Sequence, residues 1–367
     1  MPHSSLSRKR RSVLALAAAA ALTTTTLAAC GDDGGGSGGG GDGGTVALIT
    51  KTDTNPFFVA LQEGAQAAAE DAGLELNSGA GKEDGDSDTQ IKLIEEAVAR
   101  GDVGILITPA TNAVNPAMED ARAAGLTVIA LDTPPDPPET VDITYATDNR
   151  AAGTLIGEWT KAQLKGEPAT IALLDLFNDK VAAVDYNRDQ GFLEGMGIDV
   201  ADPMVNGDEE ATGEYDGGEY EIVCNEPTEG AQPAGRTAME SCRSQNPDIN
   251  VVYTINEPSA YGADEALKAA GITADDVLMV SVDGVCQAMG AIDDKIIDAT
   301  SQQYPLEMAK KGVETLAAIA DGGDVPTPPD GQDFIDTGVK LVTNAPADGV
   351  DSIDTAEGKE ICWGGRR

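Results

Sequence analysis

The sequence predicts an α/β chain made of two doubly wound, parallel-sheet lobes. Three observations carry that expectation. Short runs rich in Val and Ile alternate with Ala-rich stretches along most of the chain. Those runs are continuously apolar, as strands buried on both faces read. Each is spaced from the next by enough residues for the crossover helix that a parallel pair requires. The chain has 367 residues, 41% hydrophobic and 24% charged, a globular composition long enough for two lobes.

The elements follow in order. Residues 46–50 form the first apolar run, and 62–72 is an Ala-rich stretch of strong helix formers. Strand 74–77 and helix 89–100 come next, then strand 104–108, helix 117–124 and strand 127–131. After strand 143–147 the pattern begins again with helix 151–164, strand 171–174 and a helix near 190–196. Strands 221–223, 251–255, 278–282 and 299–301 follow, interleaved with helix 260–269 and closed by helix 310–320. No close sequence repeat links the two halves.

The first thirty residues read as an address. Arg8, Lys9, Arg10 and Arg11 precede a short Ala/Leu/Thr run and small residues, the marks of a secretory signal over 1–29. The run is too short and too interrupted by Thr for a spanning helix. The ending Leu27-Ala28-Ala29-Cys30 resembles the lipobox of bacterial lipoproteins, whose cysteine becomes the lipidated first residue. Residues 30–44 are then that Cys30 and a Gly/Asp-rich tether, which has no apolar side chains to bury and repels itself. Anchoring is expected through lipid alone.

Charge and residue counts exclude several classes. Acidic residues number 63 against 24 basic ones, a net of −39. Loss of the four basic residues of the signal leaves 20 against 63, or −43. Such a surface repels phosphates and anionic head groups, so no nucleic-acid partner is expected. The one histidine, His3, lies in the signal. A processed chain therefore has no Ser-His-Asp or Cys-His catalysis and no His-ligated zinc. No cofactor or metal is expected. Four further cysteines, in an exported chain, suggest disulfides, with three connectivities open. Cys224–Cys242 would close a local loop, leaving Cys286–Cys362; buried free thiols are the alternative.

In open parallel sheets, ligands bind beyond the carboxyl ends of the strands. The first strand is followed by Lys51-Thr52-Asp53-Thr54-Asn55-Pro56-Phe57-Phe58, and the strand ending at 131 by Asp132. In the second half, strand ends lead to Asn256, to Asp283-Gly284 and to Gln302-Gln303-Tyr304-Pro305. None of these loops is a phosphate cradle. Planar polar groups with an aromatic pair suit a neutral sugar, whose hydroxyls both donate and accept and whose C–H face packs on an aromatic ring.

At these residues the chain resembles bacterial ABC-transporter sugar-binding proteins of the ribose-binding type, the type I periplasmic binding proteins, from about 45 to 343. Thr54-Asn55-Pro56-Phe57-Phe58 looks like that family's first-strand motif, which implies sugar contacts for Asn55, Phe57 and Phe58. Ala130-Leu131-Asp132 implies Asp132, and Asn187-Arg188-Asp189-Gln190-Gly191-Phe192 implies Arg188. Asn256 and Asp283 match the family's Asn and Asp after two second-lobe strands. The run 299–305 looks like its hinge segment, in which Gln303 matches the binding Gln. Two departures stand out. Thr133 replaces the Arg of ribose binders, and 226–235 lacks their second-lobe aromatic. The runs 175–179, 224–230 and 255–258 look more like the fructose-type branch, so fructose or a similar monosaccharide is expected.

The resemblance implies two lobes joined by a multi-strand hinge: 45–147 with 304–331, and 148–303 with 332–367. The expected function is an extracytoplasmic, lipid-anchored monosaccharide-binding subunit of an ABC importer. It would be a monomer without catalysis, handing sugar to a permease and its ATPase. A sensor presenting its closed form to a chemoreceptor or histidine kinase is the alternative, and an exported carboxylate glycosidase a rival from another class.

Plainer readings stand beside these roles. Asp132, Asn256 and Asp283 could be helix caps, Phe58 partly core, and Arg188 a surface ion pair. Asp84, Asp86, Asp88 and Glu95 have EF-hand-like spacing, but Thr89 and Lys92 stand where that loop needs Gly and a ligand. A loop capping the following helix is the expected reading.

Overall fold

The computed structural model describes residues 44–273 and 275–365. The signal, Cys30 and all but the last residue of the tether lie outside the described residues.

Two sheets form, as expected. The first comprises β1 (Thr45–Thr50), β2 (Glu75–Ala80), β3 (Gly104–Ile107), β4 (Thr127–Leu131) and β5 (Ile143–Ala146). The helices between them are α1 (Pro56–Ala72), α2 (Ser87–Arg100) and α3 (Asn115–Ala123). After α4 (Asn149–Leu164) the second sheet is laid down: β6 (Ala169–Asp175), β7 (Thr212–Tyr215), β8 (Gly218–Pro227), β9 (Val251–Thr254), β10 (Leu278–Asp283) and β11 (Ala299–Gln302). Its helices are α5 (Ala183–Met196), α6 (Gln232–Gln245), α7 (Glu257–Ala269) and α8 (Cys286–Asp293). The chain returns through α9 (Pro305–Ala320) and β12 (Ile335–Asp336) to the first sheet. It then crosses back to β13 (Lys340–Thr343), β14 (Ser352–Ile353) and α10 (Thr355–Ile361).

The first sheet has the order β12-β5-β4-β3-β1-β2, all parallel. The second is β14-β13-β11-β10-β9-β6-β8-β7, parallel from β11 to β8, with antiparallel pairs at β11–β13 and β7–β8. Strand order reverses between β1 and β3 in one sheet and between β6 and β9 in the other. Those are the switch points where a crevice opens beyond the strand ends. The strand Ile335–Asp336 pairs with β5, so the last crossing falls past the expected return at 331.

The crossing strands are bonded to one another. Thr337 N donates to Ala146 O at 2.9 Å, and Asp148 N to Asp336 Oδ1 at 3.2 Å. The crossing that follows β11 is pinned by the tail: Trp363 Nε1 donates to Gln303 O at 2.8 Å. Both expected disulfides form. Cys224–Cys242 joins β8 to α6, and Cys286–Cys362 holds the tail to α8.

Helix α5 begins at Ala183, well before the expected 190. It is buried nearly all round, so its residues carry no amphipathic period to read. Glycines allow its close approach to α4: a Cβ on Gly153 would run into Arg188 O, and one on Gly191 into Arg150 O. That contact fixes the height of Arg188 above the second sheet.

Candidate functional site

The site grows from the strand ends. Beyond β1, Asn55 caps α1, its Oδ1 accepting from Phe57 N at 2.9 Å. Pro56 starts the helix, and Phe57 and Phe58 follow buried on its first turn, their ring centroids 5.4 Å apart edge to face. Beyond β4, Asp132 takes a left-handed backbone (φ 67°) and is no helix cap. Its Oδ2 accepts from Thr133 Oγ1 at 2.8 Å, so the departure at Thr133 serves to hold this carboxylate. Beyond β9, Asn256 does cap α7, accepting from Ser259 N at 3.1 Å, while its Nδ2 donates to Gly230 O at 3.1 Å. Beyond β10, Asp283 sits at φ 133°, a conformation a non-glycine residue adopts only where its surroundings enforce it.

Arg188 is not the surface ion pair its spacing allows. It is buried at 5% exposure, because α5 is pressed between α4 and the sheet. Nε donates to Asn149 Oδ1 at 2.7 Å and Nη1 to Ile255 O at 2.8 Å. The guanidinium also stands 3.7 Å from Asp283 Oδ1 and 4.0 Å from Asp132 Oδ1, so it faces both lobes.

One small cavity is lined by Asn55, Phe57, Phe58, Asp132, Arg188, Asn256 and Asp283, all seven expected there, from both sheets. Gln303 does not line it. Gln303 is fully buried and donates from Nε2 to Asp283 Oδ1 at 2.8 Å, acting through that carboxylate. Its neighbour Gln302 turns to Gly284 O.

Sequence reasoning missed Lys51, Asp84, Asn149, Glu257 and Trp363. Lys51 Nζ lies 3.7 Å from Asp132 Oδ2 and 5.9 Å from the Phe58 ring centre. It directly follows β1, so the strand-end rule that found Asn55 contains it. Glu257 is buried; Oε1 accepts from Gly284 N at 2.7 Å and Oε2 from Val285 N at 3.1 Å, which sets the Asp283 turn. Trp363 meets Phe57 edge to face at 5.5 Å. Asp86, not Asp84, caps α2, accepting from Thr89 N at 3.1 Å, as the capping reading expects of that loop. Among the described residues no group of three or more carboxylates, thiolates or imidazoles could hold a metal ion.

Burial dominates the electrostatics. It pushes the Asp283 carboxyl up to about 7, against the downward pull of Arg188. It raises Asp84 as well, against the opposing pull of Lys51. Asp185 is raised to about 6 by burial, although its oxygens accept from Leu176 N and Phe177 N. The cavity thus offers fixed acceptors, fixed donors and two aromatic rings in a gap between the sheets. It can satisfy a small polyhydroxylated molecule and expel one with the wrong pattern, since an unpaired buried polar group costs about 1–3 kcal/mol.

Two parallel-sheet lobes with facing strand ends and a closed polar gap between them define a two-lobed solute-binding protein. The chain belongs to the periplasmic binding protein domain family, whose model matches residues 46–324. It is 29% identical over 287 residues to the ribose import binding protein of Escherichia coli strain K12, covering 77% of this chain and 86% of that one. It is 32% identical over 243 residues to the D-apiose import binding protein of Actinobacillus succinogenes, covering 66% and 70%. Among solved structures, an ABC transporter solute-binding protein from Agrobacterium vitis with bound D-fucose matches with a TM-score of 0.71 at 25% identity, covering 87% of this chain and 100% of that one.

Proposed function

We propose that this protein is the monosaccharide-binding subunit of an ABC importer. Its lobes close over a neutral sugar, fructose or a ribose-like monosaccharide, and the closed form is handed to a membrane permease and its ATPase. The observation that carries the reading is the convergence of Asn55, Phe57, Phe58, Asp132, Arg188, Asn256 and Asp283 on one gap between the sheets. Thr133, Asn149 and Gln303 hold Asp132, Arg188 and Asp283 in place at the gap before a ligand arrives, which lowers the cost of binding. The named ligands of the relatives, ribose, D-apiose and D-fucose, support the same class. The moving bodies are residues 45–147 with the α9–β12 return, and 148–303 with the tail. Ligand need only favour the closed form over the open one for the signal to work.

Titration calorimetry with fructose, ribose, mannose, glucose, galactose and xylose tests this directly. Saturable binding to at least one, with the sugar recovered unchanged, is the expected result. Silence across the panel would remove the sugar reading, and a cleaved glycoside would turn it into an enzyme. Membrane attachment is proposed through a lipid on Cys30: fatty-acid label should mark the wild type and be absent from Cys30→Ala.

A further inference from the structure

Asp84 is the third carboxylate of the cavity and the one whose chemistry is unused. It is buried, and its Oδ1 has no hydrogen-bond partner, whereas Asp132 is held through Oδ2 by Thr133 and Asp283 through Oδ1 by Gln303. The loop that carries it explains the aim. Asp86 turns back to cap α2, Gly85 takes a left-handed backbone (φ 85°), and Gly81 packs on the Lys51 carbonyl. Asp84 is left facing Lys51, Asp132 and Arg188. The same loop meets the second lobe. A Cβ on Gly85 would stand 2.8 Å from Lys180 Nζ and 3.1 Å from Phe177 Cζ, and one on Gly230 would stand 3.7 Å from Asp84 Oδ2. Asp84 and Asn55 also border a wider groove that opens beyond the cavity, walled by Gly230, Pro258 and Tyr261 of the second lobe.

Resting on the sugar reading above, we propose that Asp84 is a ligand-contacting, specificity-determining residue. Its free Oδ1 accepts a hydrogen bond from a sugar hydroxyl on the edge of the ligand that faces the groove. Five charged side chains line the cavity: Asp84, Asp132 and Asp283 against Lys51 and Arg188. The unpartnered atom is a carboxylate oxygen, so the group that meets Asp84 is a donor. A neutral sugar with a hydroxyl at that edge fits. The uronate of the same sugar would bring a fourth carboxylate and is rejected.

The test is a mutant cycle on ligand and protein. The tightest-binding sugar of the panel, its set of monodeoxy analogues and its uronate are titrated into wild type, Asp84→Ala and Asp84→Asn, with melting curves for each. One deoxy analogue should bind wild type at least about 10-fold more weakly than the parent sugar, yet bind Asp84→Ala nearly as well as the parent does. Asp84→Asn, which keeps an acceptor oxygen and the shape, should fall between them. The uronate should not compete on wild type. If every deoxy analogue loses the same factor in wild type and in both variants, Asp84 touches no hydroxyl and the proposal is overturned while the sugar reading stands. If wild type binds no sugar, the sugar reading falls and takes this one with it.

Discussion

Glu257 Oε1 accepts the Gly284 N–H at 2.7 Å, from a side chain with no exposed surface and with Thr300 Oγ1 as its other donor at 2.9 Å. This bond, with its partner at Val285 N, closes the turn that holds Asp283 in its unusual backbone. Burial holds the Glu257 carboxyl well above the usual carboxylate range, and Asp283 pushes it the same way. Position, not charge, is what it supplies.

Glu257→Ala should therefore weaken sugar binding at least about 10-fold without touching the ligand, because two buried amides lose their acceptor. Glu257→Gln keeps one acceptor oxygen and should recover most of that loss. Calorimetry on the two variants, at matched melting temperature, checks this. Equal affinity in both and in wild type would show that the Asp283 turn holds itself.

Asp132→Ala and Arg188→Ala should each be severe. Arg188 lies between Asp132 and Asp283, and truncating one member of a buried charge cluster costs about 2–5 kcal/mol, or roughly 30- to several-thousand-fold in Kd. Arg188→Lys should rescue little, since the fork reaches both Asn149 and the Ile255 carbonyl and a single ammonium cannot. Near-wild-type affinity in both alanine variants would place the site elsewhere.

Acid should stabilise this protein over much of the ordinary range. Burial raises Asp185 and Asp298 to about 6 and Asp283 to about 7, and it raises Asp175 and Asp189 well above their usual value. Each is favoured neutral in the fold. The stability they contribute is complete below the unfolded carboxylate range and is lost as pH climbs through 6 and 7. The surplus of negative charge adds repulsion in the same direction. Other carboxylates oppose this: hydrogen bonds from Thr89 and Thr273 hold Asp86 and Asp276 below the usual value, and Asp293, hydrogen-bonded to Lys359, Thr355 and Asn344, is held at about 2, so what they contribute is lost only in stronger acid. Melting temperature should thus fall by at least about 4 °C between pH 5.5 and pH 8.5. A flat or rising profile over that interval would contradict it.

Much of this was legible in the residues. Apolar runs at β1, β3, β4, β9 and β10 announce parallel strands because both faces are buried, and the residue after each strand is where such a sheet binds. That rule, with the resemblance at 54–58 and 187–192, reaches seven lining residues. It passes over the groups that act from behind. Asn149 and Glu257 sit at helix starts, where Asn and Glu are ordinary, and only the packing of α5 and the Asp283 turn gives them work. Asp84 was hidden by company, since its spacing with Asp86 and Asp88 reads as a capping loop. The tail strands β12 and β14 are two residues each, too short to carry a period.

Trp363 links the tail to the site, and that link predicts more than stability. Its indole donates to Gln303 O, its ring meets Phe57, and its carbonyl accepts from Cys286 N at 2.9 Å. The Cys286–Cys362 bridge next to it closes a loop with a sequence separation of 76. Cross-linking a loop of that size should contribute roughly 4 kcal/mol through the unfolded chain, and Cys286→Ser with Cys362→Ser should lose much of it. The double variant should also bind sugar several-fold more weakly at a temperature where it is fully folded, because Phe57 and Gln303 lose the contact that braces them. Trp363→Phe separates the two effects. It keeps the bridge and the ring contact but strips the bond to Gln303 O, so it should weaken sugar binding while nearly preserving the melting temperature. If the serine pair melts early yet binds as tightly as wild type, and Trp363→Phe is silent, the tail is a staple and has no part in holding the site.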